Sequence, residues 1–112
     1  MSLWAAILHN PRCSKSRAAL ALLEEAGADV TAVDYLKQPP NRDELARLLD
    51  RAGLKPREAL RPEAKDMVPA HADDAAVLDA MAANPALIER PLVETERGVR
   101  LCRPPELVRE LL

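Results

Sequence analysis

The sequence contains no phenylalanine and only one tryptophan and one tyrosine among its 112 residues. A hydrophobic core must therefore be built from aliphatic side chains, which the chain supplies mainly as 20 alanines and 18 leucines. Both residue types favour helices, so we expect much of the chain to be helical. Hydrophobic residues make up 48% of the chain, which argues against intrinsic disorder, and the length predicts a single domain over residues 1–112.

The chain also lacks an excess of charge of one sign, since 16 basic and 18 acidic residues give a net charge of -2. Nucleic-acid-binding domains usually carry a strong basic excess, so this balance argues against a nucleic-acid partner. No apolar run approaches the roughly 20 residues of a membrane span, and residues 1–4 lack the basic start of a signal peptide. We therefore expect a cytoplasmic monomer with no membrane partner.

Cysteine and histidine are scarce, with two of each: Cys13, Cys102, His9 and His71. Two cysteines are too few for a disulfide scaffold, which is consistent with a reducing compartment. The four residues show no closed ligand spacing, so we expect no metal site.

The first third of the chain has the pattern of a strand, a helix and a second strand. Residues 3–8 form a short apolar run, residues 14–26 have helical periodicity, and residues 30–35 are rich in β-branched side chains. Gly27 follows the helical segment and favours a helix end there. This order predicts a βαβ unit with parallel strands.

The middle of the chain, at about residues 41–84, has the pattern of a helical insert. Asn41 and Glu44 have the spacing of a capping box ahead of an apolar helical stripe. Residues 62–72 are polar and predict a loop or a weak helix, and another helix begins at about residue 73.

The last third predicts a hairpin and a final helix. Short strands at 92–95 and 99–102 flank a turn at 96–98, in which Gly98 suits a left-handed position. Residues 104–105 are prolines that begin the final helix. The whole order predicts an α/β protein with a mixed four-stranded sheet flanked by helices, which is the thioredoxin-like architecture.

Cys13 lies at the predicted turn between the first strand and the first helix. A thiol at a helix N-terminus meets unpaired backbone N–H groups and the positive end of the helix dipole. These groups favour the thiolate and can hold an oxyanion, and Arg12, Lys15 and Arg17 add nearby positive charge. We interpret Cys13 as a nucleophile beside an anion site, and the alternative is an inert buried cysteine.

The residues after Cys13 exclude two other cysteine chemistries. Ser16 stands where a Cys-x-x-Cys dithiol needs its second cysteine, so Cys13 has no local resolving partner. A tyrosine-phosphatase loop needs Cys-x5-Arg, and this chain has Ala19 at that position. Cys102 lies far along the chain in a predicted strand, and we interpret it as a core thiol.

Three arginines precede prolines, at Arg61, Arg90 and Arg103, where composition predicts about one such pair. Arginine binds tetrahedral oxyanions through two hydrogen bonds at once, but a solvated surface charge stays an alternative for each. His9 ends the first strand and could either polarise the thiol or be a strand-end histidine with a satisfied hydrogen bond. Pro91 lies between a loop and a strand, where cis prolines occur.

The loop His9-Asn10-Pro11-Arg12-Cys13-Ser14-Lys15-Ser16-Arg17 resembles the active-site loop of the ArsC family of glutaredoxin-coupled arsenate reductases. The same order of motifs continues downstream, with Tyr35-Leu36-Lys37-Gln38-Pro39-Pro40, Arg42-Asp43-Glu44-Leu45, Leu60-Arg61, Arg90-Pro91-Leu92-Val93 and Arg100-Leu101-Cys102-Arg103-Pro104. The resemblance covers about residues 7–112 and implies a thioredoxin-like fold with an added helical segment.

The resemblance implies a role for each matching residue. Cys13 would attack arsenate, His9 and Ser16 would support its thiolate, and Pro91 would be the cis proline of the fold. The substrate and the later arsenic adduct would be bound by three arginines, Arg61, Arg90 and Arg103. Glutathione, as a co-substrate rather than a bound cofactor, and glutaredoxin would supply the electrons.

A second hypothesis stays open, because the family also contains Spx-type transcription regulators. The chain would then be a redox-sensing or partner-binding module without activity. Those regulators usually carry Cys-x-x-Cys, which is absent here, and a binding module needs none of the three arginines. The sequence therefore favours the enzyme.

Overall fold

A computed structural model describes residues 3–112. The helices and strands are β1 (Trp4–His9), α1 (Ser14–Glu25), β2 (Asp29–Asp34), α2 (Arg42–Ala52), α3 (Asp74–Ala83), β3 (Leu92–Thr95) and β4 (Gly98–Leu101). Short 3-10 helices are formed by Pro56–Ala59, Pro62–Met67, Pro85–Leu87 and Pro105–Leu111. Residues 1 and 2, on which the expectation about a signal peptide partly rests, lie outside the described residues. No helix within residues 3–112 is long and apolar enough to cross a membrane.

The four strands form one mixed sheet in the order β2-β1-β3-β4. β1 and β2 are parallel, as predicted, with His9 opposite Asp34. β3 runs antiparallel to β1, with Leu92 opposite Leu8, and β4 runs antiparallel to β3. The carboxyl ends of β1 and β2 and the start of β3 therefore lie at the same end of the sheet.

The core lies on both faces of this sheet and is aliphatic, as the composition requires. On one face, Ile7 and Val93 pack with α1 and the C-terminal 3-10 helix. On the other face, Leu92 packs with α2, α3 and the 3-10 segments between them. Since neighbouring residues of a strand point to opposite faces, adjacent Leu92 and Val93 serve the two layers separately.

An N-cap stabilises the start of helix α2, and ion pairs hold this helix against the sheet. Asn41 Oδ1 accepts a hydrogen bond from the Glu44 N–H at 2.8 Å. The predicted capping box is only half formed, because the Glu44 carboxylate pairs with Arg47 instead of returning to Asn41. Glu94 of β3 accepts from Arg47 at 2.7 Å and from Arg51 at 2.5 Å, which ties α2 to the sheet.

Two predictions for the last third were wrong in detail. Gly98 is the first residue of β4 rather than part of the turn, because it pairs with Thr95 and leaves only two residues between the strands. Its φ of +152° favours glycine all the same. The final helix is 3-10 rather than α, since the Leu107 N–H donates to the Pro104 carbonyl three residues back.

Candidate active site

Cys13 lies between β1 and α1 and forms the N-cap of that helix. The preceding turn is closed by a hydrogen bond of 2.9 Å from the Cys13 N–H to the Asn10 carbonyl. Asn10 Oδ1 also accepts from the Arg12 N–H at 3.0 Å, so the loop is held by its own polar groups. The half-buried Cys13 thus lies at the N-terminus of α1, where backbone N–H groups lack helical partners.

The pKa of Cys13 is lowered from its ordinary value, although partial burial by itself would raise it. The backbone N–H groups of Ser16 and Lys15, in the first turn of α1, favour the thiolate. The charge of Arg90 and a contact from Arg103 act in the same direction. The basic side chains that flank Cys13 are exposed, so this charge comes instead from two of the distant arginines that were predicted to bind the anion.

His9 and Ser16 form a buried pair behind this loop. Ser16 Oγ accepts from the Asn10 N–H at 3.0 Å and lies 2.6 Å from His9 Nδ1. Burial lowers the pKa of His9, against the opposing charge of Asp34, so the imidazole is neutral at neutral pH. In the part of the chain that the structure describes, no hydrogen bond joins His9 to the sulfur of Cys13. The pair therefore holds the loop from within.

Arg90 and Arg103 are brought to Cys13 by the two ends of the β3–β4 hairpin. Arg90 comes two residues before β3 and Arg103 two residues after β4, so both lie at the end of the sheet where β1 finishes. Arg103 Nη1 lies 3.9 Å from Cys13 Sγ and donates to the Arg90 carbonyl at 3.1 Å. The peptide bonds from these arginines to Pro91 and Pro104 are both cis. A guanidinium group therefore lies beside the sulfur of Cys13.

Glu89 is a site residue that the sequence analysis missed. Its buried carboxylate accepts from Arg90 Nη1 at 3.0 Å and lies 3.9 Å from Arg103 Nε, so it links the two arginines. One feature of the sequence could have indicated it: this acidic residue directly follows the apolar residues 87–88, where burial of an unpaired charge would be costly. The identity of its partners depends on the tertiary fold.

Arg61 approaches the same region from the helical segment between β2 and β3. Its backbone N–H donates to the Leu87 carbonyl at 2.9 Å, which places it beside the residues that lead into β3. Its guanidinium pairs with Glu63 at 2.5 Å. Among residues 3–112, no hydrogen bond joins Arg61 to Cys13, so the structure brings it near the site without direct contact with the sulfur.

Cys102 is fully buried in the core cluster that includes Ile7 and Val93. Burial raises its pKa to about 12, so the thiol is protonated at neutral pH. The prediction of a core thiol is confirmed, although Cys102 follows β4, which ends at Leu101, instead of belonging to it.

A cysteine sulfur with a lowered pKa, a helix N-terminus and two arginines thus meet at one end of the sheet. Such a set combines a nucleophile with donors for a tetrahedral oxyanion. No group of histidine, cysteine and acidic side chains among the described residues is arranged to hold a metal ion.

Comparison with known proteins gives consistent matches. The family model described as the ArsC family matches residues 8–111. The chain is 43% identical to the arsenate reductase of Rhizobium meliloti (strain 1021) and 40% identical to that of Escherichia coli (strain K12), over 95% of this chain and 79% of each relative. The solved structure of arsenate reductase from Vibrio cholerae matches with a TM-score of 0.91 and 39% identity, covering 100% of both chains. This match confirms the predicted thioredoxin-like architecture.

Proposed function

The chain belongs to the ArsC family, and on that premise we propose that it is an enzyme that reduces arsenate to arsenite, with Cys13 as its nucleophile. The observation that carries this function is the Cys13 sulfur at the N-terminus of α1, 3.9 Å from Arg103 Nη1. The helix terminus and the guanidinium favour a thiolate, and the same groups attract an oxyanion.

The substrate-binding groups of this proposal are Arg61, Arg90 and Arg103. Each guanidinium can donate two hydrogen bonds to a tetrahedral oxyanion, and the N–H groups at the start of α1 add further donors. Glu89 links two of these arginines and so limits their motion. His9 and Ser16 position the loop that carries the thiolate.

The reaction transfers two electrons from two thiols to arsenic. The Cys13 thiolate forms a bond to arsenic, and one arsenate oxygen leaves as water after protonation. A glutathione thiolate then attacks the Cys13 sulfur, and the electron pair of the sulfur–arsenic bond stays on arsenic, which leaves as arsenite. Cys13 remains in a mixed disulfide with glutathione, and a thiol of glutaredoxin reduces it.

An external thiol is required because no second cysteine can resolve the intermediate. Ser16 occupies the Cys-x-x-Cys position, and Cys102 is buried and protonated. We therefore assign glutathione as a co-substrate, glutaredoxin as the protein partner and the reducing cytoplasm as the location. A monomer is sufficient for this reaction, since the thiolate and the arginines all come from one chain.

Arsenate-dependent oxidation of NADPH, coupled through glutathione, glutathione reductase and glutaredoxin, tests this function. The wild type should be active and Cys13→Ser inactive, while Cys102→Ser, the control for loss of a thiol, should remain active. Absence of arsenate-dependent oxidation by the wild type would refute the proposal.

The electron supply is tested separately by mass spectrometry of enzyme stalled without glutaredoxin. We expect one glutathione attached to Cys13. An internal disulfide between Cys13 and Cys102 would instead indicate a single-chain dithiol cycle and would contradict the assignment of glutathione.

A further inference from the structure

Tyr35 is the only tyrosine of the chain and is 1% exposed. Its hydroxyl has no hydrogen-bond partner within residues 3–112. Buried polar groups in proteins are nearly always paired, and an unpaired one costs stability. A phenylalanine would fill the same space without this cost, so the hydroxyl calls for an explanation other than packing.

The fold places Tyr35 at the candidate active site. It directly follows β2, and Cys13 follows β1 by a short turn. Because β1 and β2 are parallel and His9 pairs with Asp34, the segments that carry Cys13 and Tyr35 leave the sheet at the same end.

The charged groups that act on the hydroxyl belong to the same region. Burial raises the pKa of Tyr35, whereas the charges of Arg90 and Arg61 lower it and those of Cys13 and Glu89 raise it. The groups that act on the hydroxyl are thus the nucleophile, two of the proposed substrate-binding arginines and the carboxylate that links Arg90 to Arg103.

Two further buried donors in this region are unpaired. Within the described chain, the buried side-chain atoms without a partner are Tyr35 Oη, Arg61 Nε and Arg90 Nε. The ion pairs of these arginines use terminal nitrogens, Nη2 of Arg61 with Glu63 and Nη1 of Arg90 with Glu89. An Nε–H can only donate, and a phenol can donate as well. An anion bound in this region would bring acceptor oxygens, which is the kind of partner that each of these groups lacks.

We propose that the Tyr35 hydroxyl donates a hydrogen bond to an oxygen of the arsenate bound at Cys13, as a fourth side-chain ligand beside the three arginines. The identity of the anion rests on the proposed function, and the ligand role of Tyr35 extends it. In the anion complex the buried hydroxyl has a partner, which explains its presence in an otherwise aliphatic core.

The substitution Tyr35→Phe removes the hydroxyl and keeps the ring. The anion-free variant should unfold at the same temperature as the wild type or a higher one, because an unpaired buried group is removed. Its affinity for the oxyanion should fall about tenfold or more, as expected for a hydrogen bond to a charged group. A structural hydroxyl would show the reverse, with lower stability and unchanged affinity.

Thr95→Val is the matched control, because it removes another fully buried hydroxyl at the opposite end of the sheet. Thr95 Oγ1 donates to the Leu111 carbonyl at 2.7 Å, so its hydroxyl has a partner in the folded chain. This variant should lose stability and retain the oxyanion affinity of the wild type.

Calorimetric titration with inorganic arsenate and with sulfate, together with thermal unfolding without anion, measures both quantities for the three proteins. The single tyrosine also gives one Cζ resonance after ¹³C labelling, which should shift when the anion binds. Weaker binding by Tyr35→Phe without loss of stability supports the proposal. Equal affinity in Tyr35→Phe, or a wild type that binds neither anion, overturns it.

Arsenate reduction by the same preparations separates this inference from the proposed function. A wild type that binds oxyanions through Tyr35 but reduces no arsenate refutes the function and leaves the ligand assignment standing. A wild type that reduces arsenate, with the same KM in Tyr35→Phe, refutes the ligand assignment alone.

Discussion

Replacing Arg103 by methionine should raise the pKa of Cys13, because it removes a charge interaction of about 1 kcal/mol that favours the thiolate. Arg103 Nη1 lies 3.9 Å from the sulfur and the side chain is 35% exposed, so a water-like dielectric constant applies. At this distance two unit charges interact by about 1 kcal/mol in water. Methionine keeps much of the apolar stem and removes the charge.

The pKa is measured from thiolate absorbance against pH. Cys102 does not interfere, because burial raises its pKa to about 12. Arg97→Met is the control, since Arg97 lies in the β3–β4 turn at the opposite end of the sheet. The effect of Arg103→Met should shrink in about 1 M salt, where the screening length is about 3 Å. An unchanged Cys13 pKa, or an equal rise in Arg97→Met, would contradict the electrostatic account.

Three further predictions concern residues around the site and the core. Arg47 and Arg51 hold the pKa of the Glu94 carboxyl below its ordinary value. The stabilisation of the folded state by these ion pairs is therefore fully present above the ordinary pKa and is lost as pH falls through the lowered pKa. Glu94→Gln should thus lower the free energy of unfolding by about 2 kcal/mol at neutral pH and by progressively less as pH falls through the lowered pKa, measured by denaturant titration. Cys102→Ser should cost about 1–3 kcal/mol in the same titration and leave kcat unchanged, since it buries a hydroxyl in an apolar core. Ser16→Ala should lower kcat and cost about 1 kcal/mol, because the Ser16 hydroxyl holds the loop; a variant with wild-type kcat would exclude this role.

The position of Cys13 could be predicted because it depends on local pattern. An apolar strand, a break at Pro11 and helical periodicity from Ser14 are sufficient to place a residue at a helix N-terminus. The cap of α2 is equally local, and Asn41 accepts from the Glu44 N–H as its spacing predicts. Parallel pairing of β1 and β2 follows from the short helical connection between them.

Arg90 and Arg103 were predicted at the site only through the family resemblance, whereas the contacts of Glu89 and Tyr35 could not be predicted, because their partners come from different elements of the fold. Glu89 is a site residue only because β3 and β4 bring Arg90 and Arg103 to either side of its carboxylate. Tyr35 resembled the last residue of a β-branched strand, and its unpaired hydroxyl appears only when the surrounding groups are packed. Local pattern assigned the positive charge at Cys13 to its neighbours along the chain, because proximity in space depends on the fold, and only the resemblance implied Arg90 and Arg103.

Cys13 is the residue through which we propose that this chain reduces arsenate. A single-turnover reaction with arsenate and glutathione, followed by direct separation of arsenite from arsenate, tests it without coupling enzymes. The account predicts arsenite in an amount equal to the protein for the wild type and Cys102→Ser, and none above the glutathione background for Cys13→Ser. Arsenite formation by Cys13→Ser at the wild-type level would contradict it.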